Sequence, residues 1–394
     1  MILVGIDVSK NSHYFTIVNK DDGEILLEPS KFNNDLDGFN LFLSSIKSYK
    51  NEDILIGMED TGHYHFALLK YLLNKKYTIA LINPVTTDLT RRANGSISKN
   101  DKLDTLTICD VLASNNLKKP YRISKINNFD LYEQRSLTRH HHNLKEELNV
   151  YTNRLQKCID IVFPEYNSLF DSKYGIVYNN ILKTFTSAAN IASTDIRSLR
   201  KCFELKGKGN RISLTADKLK QAAKDSIGID SISDVIQIRH LINQIELINN
   251  QLEEIDKKIE EFSKQTNSPI TSIPGISHFS GTSILAEIGD INNFSNHSQI
   301  IKYAGMAPST YESGQFKAQH TSITKKGSKY LRKTLYQIIL PVIKYNEVFK
   351  KYYHLKISQG KSHRCAYGHC VRKLLRIIYH LVKTNQKFDP SLVR

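Results

Sequence analysis

The sequence predicts an α/β domain, then a pair of long helices with a helical insertion, then a mostly helical, basic C-terminal domain. Three observations carry this expectation. Apolar runs of strand length alternate with helical spacings over the first 85 residues. Two later stretches repeat apolar residues in steps of three and four. From 301 to 394 there are 19 Lys and Arg against 3 Asp and Glu, so this segment holds the whole net charge of +16, and the first 300 residues, at 36 against 36, balance.

The opening run Ile2-Leu3-Val4-Gly5-Ile6-Asp7 reads as a short buried strand, and His13 to Asn19 as a second. Asp21-Asp22-Gly23 supplies a hairpin turn into a third, Glu24 to Glu28. Leu36 to Ser48 has helical spacing, Asp53 to Glu59 and Tyr77 to Asn83 are further strands, and His65 to Asn74 between them is helical. Three strands followed by helix, strand, helix, strand is the order of an RNase H-like fold, and equally of half an actin-like ATPase domain.

Next, Leu137, His141, Leu144, Leu148, Tyr151, Leu155, Cys158 and Val162 recur in heptad steps, closed by Pro164. Ile238, Leu241, Ile245, Ile248, Leu252, Ile255, Ile259 and Phe262 do so without a polar interruption. Such seams form coiled coils, pairing either as an antiparallel hairpin or with another protomer. Residues 165–230 between them read as a helical insertion broken by Gly207, Gly209 and Gly228. The expected division is therefore 1–125, 126–268 and 269–394.

Composition excludes several classes. No apolar run is long enough to span a bilayer, and the N-terminus lacks the basic start and cleavage site of a signal peptide, so the expected compartment is the cytoplasm. The five scattered cysteines form no disulfide framework. His363, Cys365, His369 and Cys370 have no second ligand pair elsewhere, so a packing role is expected rather than a zinc site. Positive charge gathered in one folded domain is the footprint of a polyanion such as nucleic acid. A membrane surface would call instead for a basic helix with a wide apolar face.

Four acidic residues stand out. Asp7 and Glu59 each end a strand, and Asp101 and Asp104 share a face at the start of a helical segment. In an RNase H-like sheet the first strand is central and the fourth lies beside it, which would bring the four together. Carboxylates so gathered repel one another unless cations neutralise them, and hard oxygen ligands suit Mg²⁺ for phosphoryl transfer. Taken singly, each has an ordinary turn or cap reading.

Further on, Ile273-Pro274-Gly275-Ile276 before a helix has the form of a helix-hairpin-helix turn, whose Gly275 would let backbone N–H groups approach a phosphate. Ser277 stands where a second glycine is usual. Ser313-Gly314 lies in a loop followed by Lys325, Lys326, Lys329 and Arg332. A serine needs activation to attack, and such cations would hold a phosphate beside it. Ser-Gly is also an ordinary turn.

Together, Gly5-Ile6-Asp7-Val8-Ser9-Lys10, Met58-Glu59-Asp60-Thr61-Gly62-His63-Tyr64, Asn100-Asp101-Lys102-Leu103-Asp104, Ile273-Pro274-Gly275-Ile276, Glu287-Ile288-Gly289-Asp290 and Ala304-Gly305-Met306-Ala307-Pro308 through Ser313-Gly314 resemble the DEDD transposases of the IS-one-ten insertion-sequence family. The resemblance implies a RuvC-like domain, a coiled coil and a transposase domain. It places the metal carboxylates on Asp7, Glu59, Asp101 and Asp104 and the serine nucleophile on Ser313. It further implies Mg²⁺, a structured noncoding guide (bridge) RNA, DNA of the element ends and target, and a homo-oligomer, dimer or tetramer. Asp60 stands where a small residue is usual and could compete as a ligand.

Other readings exist. A Holliday-junction nuclease would use metal-activated water and leave Ser313 structural. An actin-like kinase or ATPase would need a glycine in the phosphate turn after its first strand, and Asp7-Val8-Ser9-Lys10-Asn11 has none. A non-catalytic helix-hairpin-helix protein leaves the acidic set without a role. A tyrosine recombinase using Tyr311 lacks an accompanying Arg/His set.

Overall fold

The computed structural model describes residues 1–49, 52–60, 62–93, 101–114, 121–124, 128–171, 173–204, 213–309, 312–313, 316–317 and 322–392. The chain divides into two compact units, 1–132 and 133–394.

The first unit is a mixed sheet with helices on both faces. Its elements are β1 (Ile2–Asp7), β2 (Ser12–Asn19), β3 (Ile25–Asn33), α1 (Leu36–Lys47), β4 (Ile54–Glu59), α2 (Phe66–Asn74), β5 (Thr78–Ile82), α3 (Pro84–Ala93), α4 (Asp101–Ala113) and β6 (Tyr121–Ile123). The strand order is β3-β2-β1-β4-β5-β6. β1 to β3 are antiparallel, β4 and β5 run parallel to β1, and β6 returns antiparallel along β5. As expected, β1 is central and β4 lies beside it. β3 runs beyond the expected Glu28 and through Pro29 to Asn33, because it is an edge strand, where a missing N–H leaves no ladder bond unmade.

Alternation along the central strands separates two cores. Ile2, Val4 and Ile6 of β1, with Ile56 and Met58 of β4, pack with Phe39, Phe42, Leu68 and Leu72 of α1 and α2. Leu3 and Leu55, on the opposite face, pack with Ile108, Cys109, Val111 and Leu112 of α4. Burial on both faces is why β1 and β4 read as continuous apolar runs rather than as alternating ones.

The second unit holds most of α5 (Asn128–Val162), followed by α6 (Ile176–Phe185), α7 (Ala188–Ser193), α8 (Ile196–Lys201), α9 (Ala216–Lys224) and α10 (Ile232–Thr266). The side chains that meet show α5 and α10 running antiparallel: Cys158 lies against Gln237 at one end and His141 against Asp256 at the other. Along the seam Leu144 packs with Ile248, Leu252, Ile255 and Ile259. The two polar positions in the first heptad set are thus accommodated by polar partners across the seam. His141 stands 3.3 Å from Asp256, yet burial and then Lys145 and Lys333 push its pKa down to about 4. At neutral pH the contact is therefore a neutral ring facing a carboxylate rather than an ion pair.

The insertion is a small helical core of its own at the end of this pair. Tyr166, Tyr178, Ile181 and Leu219 are fully buried there with Leu155, Ile159 and Ile238.

The C-terminal part comprises α11 (His278–Ile288), α12 (His297–Tyr303), the two-stranded pair β7 (Glu312–Ser313) and β8 (Phe316–Lys317), α13 (Lys329–Tyr345), α14 (Glu347–Ser358) and α15 (His363–Thr384). Ile284, Leu335, Ile339, Leu374 and Ile378 form its centre. Cys370 is buried in this core. No helix among the described residues is long and apolar enough to cross a membrane.

Candidate functional site

Period-2 alternation decides where the acidic strand ends point. On β1, Leu3 and Gly5 face α4, so Asp7 belongs to the same face; on β4, Leu55, Gly57 and Glu59 do likewise. Gly5 registers with Gly57, and the ladder continues to Ile6 opposite Met58, which sets Asp7 and Glu59 at adjacent strand ends. The two glycines admit α4 to that face. A Cβ on Gly5 would lie 2.2 Å from the Thr105 carbonyl oxygen, and one on Gly57 2.8 Å from Leu112 Cδ1.

Helix α3 joins two of the carboxylates. Thr87 donates its hydroxyl to Glu59 Oε1, and Arg91, one turn further along, stands 3.5 Å from Asp104 Oδ1. Residues four apart share a helix face, so Glu59 and Asp104 meet the same side of α3. Arg91 also pairs with Asp88 at 2.5 Å, and Arg92 with Asp88 at 2.9 Å.

Of the four expected metal ligands, the structure places Asp7 and Glu59 at neighbouring strand ends, and Glu59 and Asp104 on one side of α3. Asp101 opens α4, but its side chain lies outside the described residues. Asp60 is exposed and stands 3.7 Å from Nε2 of buried His65. Carboxylate oxygens suit a hard divalent cation in donor chemistry. Among the described residues no three His, Cys, Asp or Glu side chains stand together as a metal site. In this arrangement the Arg91 guanidinium supplies positive charge to Asp104.

The second candidate region lies in the other unit. Ser313 is the last residue of β7 and pairs with Phe316 of β8; its side chain and Gly314 lie outside the described residues. Tyr311 also lies outside them. Lys325, Lys326 and Lys329 are exposed on the following stretch. Arg332 directs Nη1 at the carbonyls of Ala304 and Lys325, at 3.2 and 3.1 Å. Gly275 has φ +95°, and a Cβ there would stand 2.7 Å from the Val342 backbone, so close packing on α13 already requires a glycine. Ser277 caps α11 through Ser280 N–H.

Sequence reasoning missed Thr87, Asp88 and Arg91, and an ion pair to a buried carboxylate in the helical unit. Glu287 is wholly buried in α11 and takes Nε of Arg139 at 2.6 Å. A carboxylate within the apolar helix 280–288 was the signal, since a buried charge demands a partner. Spacing does not name that partner, 148 residues away.

The chain therefore joins an α/β sheet carrying carboxylates at its strand ends to a strongly basic helical unit. A family model described as Transposase, of the DEDD type from IS110, matches residues 4–164, and a second, of the transposase IS116/IS110/IS902 family, matches 267–354. The chain belongs to this IS110 family of transposases. It is 31% identical over 127 residues to pilin gene-inverting proteins of Moraxella bovis and Moraxella lacunata. That match covers 32% of this chain and only 39% of either relative's length. An IS117 mini-circle protein of Streptomyces coelicolor is 22% identical over 99% of this chain and 96% of its own.

Proposed function

We propose that this chain is the transposase of an insertion sequence, cutting and rejoining DNA strands through a serine nucleophile. The observation that carries the reading is the placement of Asp7 and Glu59 at adjacent ends of β1 and β4, under a helix that two registered glycines admit. The strand order supports an RNase H-like, RuvC-like sheet, and the antiparallel seam of α5 and α10 supports a coiled coil. The excess of positive charge over 301–394 supports a separate functional domain over 269–394.

Asp7, Glu59, Asp101 and Asp104 would hold Mg²⁺, which would neutralise charge on the reacting phosphate. Ser313 Oγ attacks the phosphorus of a DNA phosphodiester. An Oγ–P bond forms as the serine hydroxyl gives up its proton, the bond to one sugar oxygen breaks, and that oxygen takes up a proton and leaves as a hydroxyl. The energy of the ester is kept in the phosphoserine, so strands can be rejoined. Exposed Lys325, Lys326 and Lys329, with Arg332 and the Gly275 turn, contact phosphates. Partners are the element-end and target DNA, a structured guide RNA and further copies of the chain.

The test incubates the protein with Mg²⁺, the noncoding RNA flanking its element and labelled element-end DNA. A denaturation-resistant protein–DNA adduct is expected, lost in both Ser313→Ala and Asp7→Ala. Cleavage without an adduct, persisting in Ser313→Ala, would instead establish a hydrolytic junction nuclease using metal-activated water.

A further inference from the structure

Between α12 and α13 the chain makes an excursion that carries Ser313. Its described part is a two-stranded ribbon. Lys325 N–H donates to Gly305 O at 3.1 Å, Thr324 N–H to Ala307 O at 2.9 Å, and Ser309 N–H to Ser322 O at 2.8 Å. Pro308 bridges Ile323, and further out Ser313 pairs with Phe316. A lone two-stranded ribbon is marginal in water, so where its far end stands depends on how its base is held.

The base is tied by one buried carboxylate. Glu287 receives Arg139 Nε at 2.6 Å and Nη2 at 3.1 Å, and the Ser328 hydroxyl at 2.6 Å. Burial alone would raise its pKa; the hydrogen bonds from Arg139 and Ser328 outweigh this and hold the carboxyl below its ordinary value. Ser328 Oγ also accepts Leu331 N–H at 3.1 Å, which caps α13. The carbonyl of the same Glu287 accepts the Tyr303 hydroxyl at 3.1 Å, and Ser328 N–H donates to Tyr303 O at 2.9 Å. The residue before the ribbon and the residue after it are thus bonded to each other and to Glu287. One step inward, Arg332 bridges Ala304 O and Lys325 O across the two strands. The neck has no slack: a Cβ on Gly327 would lie 2.0 Å from Tyr303 O.

We propose that Glu287, Ser328 and Arg332 are positioning residues for Ser313, setting the base of the ribbon from which the serine reaches the phosphate. The proposal rests on Ser313 being the nucleophile. It gives Arg332 a task beyond its charge, since one nitrogen of a planar guanidinium, Nη1, donates to carbonyls on both strands, a geometry that the flexible stem of a lysine does not fix.

The test compares Ser328→Ala, Ser328→Thr and Arg332→Lys with the parent in the full-length chain. Amide hydrogen exchange is read over 304–328, and adduct formation with the RNA and DNA described above. In Ser328→Ala and Arg332→Lys, exchange in the ribbon should quicken by about tenfold while α11 and the core of α13 keep their protection. Adduct formation should slow by roughly ten- to a hundredfold in both, with DNA affinity little changed in Ser328→Ala, because misplacing a reacting group acts on the chemical step. Ser328→Thr, which keeps the hydroxyl, should behave as the parent. Parent-like exchange and adduct rates in Ser328→Ala and Arg332→Lys, with the adduct still lost in Ser313→Ala, would overturn the positioning role and leave the nucleophile intact. An adduct that survives in Ser313→Ala would overturn both.

Discussion

Gly5 and Gly57 show how much of the acidic site depends on atoms that are missing. They are register partners on β1 and β4, and both face α4. At Gly5 the obstacle to a methyl group is the Thr105 carbonyl, backbone rather than a flexible tip. Gly5→Ala must therefore lift α4, and with it Asp104, off the strand that ends in Asp7. Overpacking of this kind costs about 1–3 kcal/mol. We expect Gly5→Ala to lose about that much stability in a denaturant melt and to weaken Mn²⁺ binding measured by titration; unchanged Mn²⁺ affinity would show that α4 supplies no ligand. Two buried histidines make a second residue-scale prediction. Burial, with Lys333 and its neighbours, holds His141 and His142 to about 4, against an ordinary 6.5. Between those values the unfolded chain binds more protons than the folded one, so stability rises with pH. Stability should be complete above about pH 6.5 and fall as pH drops towards 4. Glu287, with its lowered pKa, adds loss in the same direction at lower pH. Melting temperatures across this range should show the slope, and His142→Gln should flatten it.

Among the elements, the paired helices were the most legible, because a heptad pattern repeats often enough to be counted over 35 residues of α10. Leu252 sits in the middle of that seam, 3% exposed, and Leu252→Ala should cost about 2–5 kcal/mol in a denaturant melt. A cost below 1 kcal/mol would mean that the seam collapses around the gap. The insertion was far less legible. Its helices α7 and α8 are six residues each, too short for a period to emerge, and its core is fixed by distant contacts such as Tyr166 hydroxyl to Tyr178 O. β6 has three residues and is a strand only because β5 offers a free edge. In the acidic site, Asp7 and Glu59 could be read from their strand ends and Asp104 from its spacing to Asp101. Thr87 and Arg91 could not, since they reach Glu59 and Asp104 through space across 28 and 13 residues of chain.

At the scale of the whole molecule, charge is divided as sharply as structure. The first 300 residues carry 36 basic and 36 acidic side chains, whereas the last 94 carry 19 and 3. Charge of one sign on a folded surface destabilises it by self-repulsion and is relieved when a polyanion releases its counterions on binding. Affinity for element-end DNA should therefore fall linearly with salt on a logarithmic plot, with a slope of roughly 0.9 per phosphate neutralised. Lys325, Lys326 and Lys329 are exposed beside the serine ribbon. Replacing all three with alanine should lower the slope by up to about three, while Lys218, Lys220 and Lys224 in the near-neutral part should contribute nothing. A loss of affinity at unchanged slope would mean that these lysines act by shaping the ribbon rather than by meeting phosphate. The positive charge would then belong to α14, α15 and the turn between them, where Lys350, Lys351, Lys361 and Arg364 are also exposed.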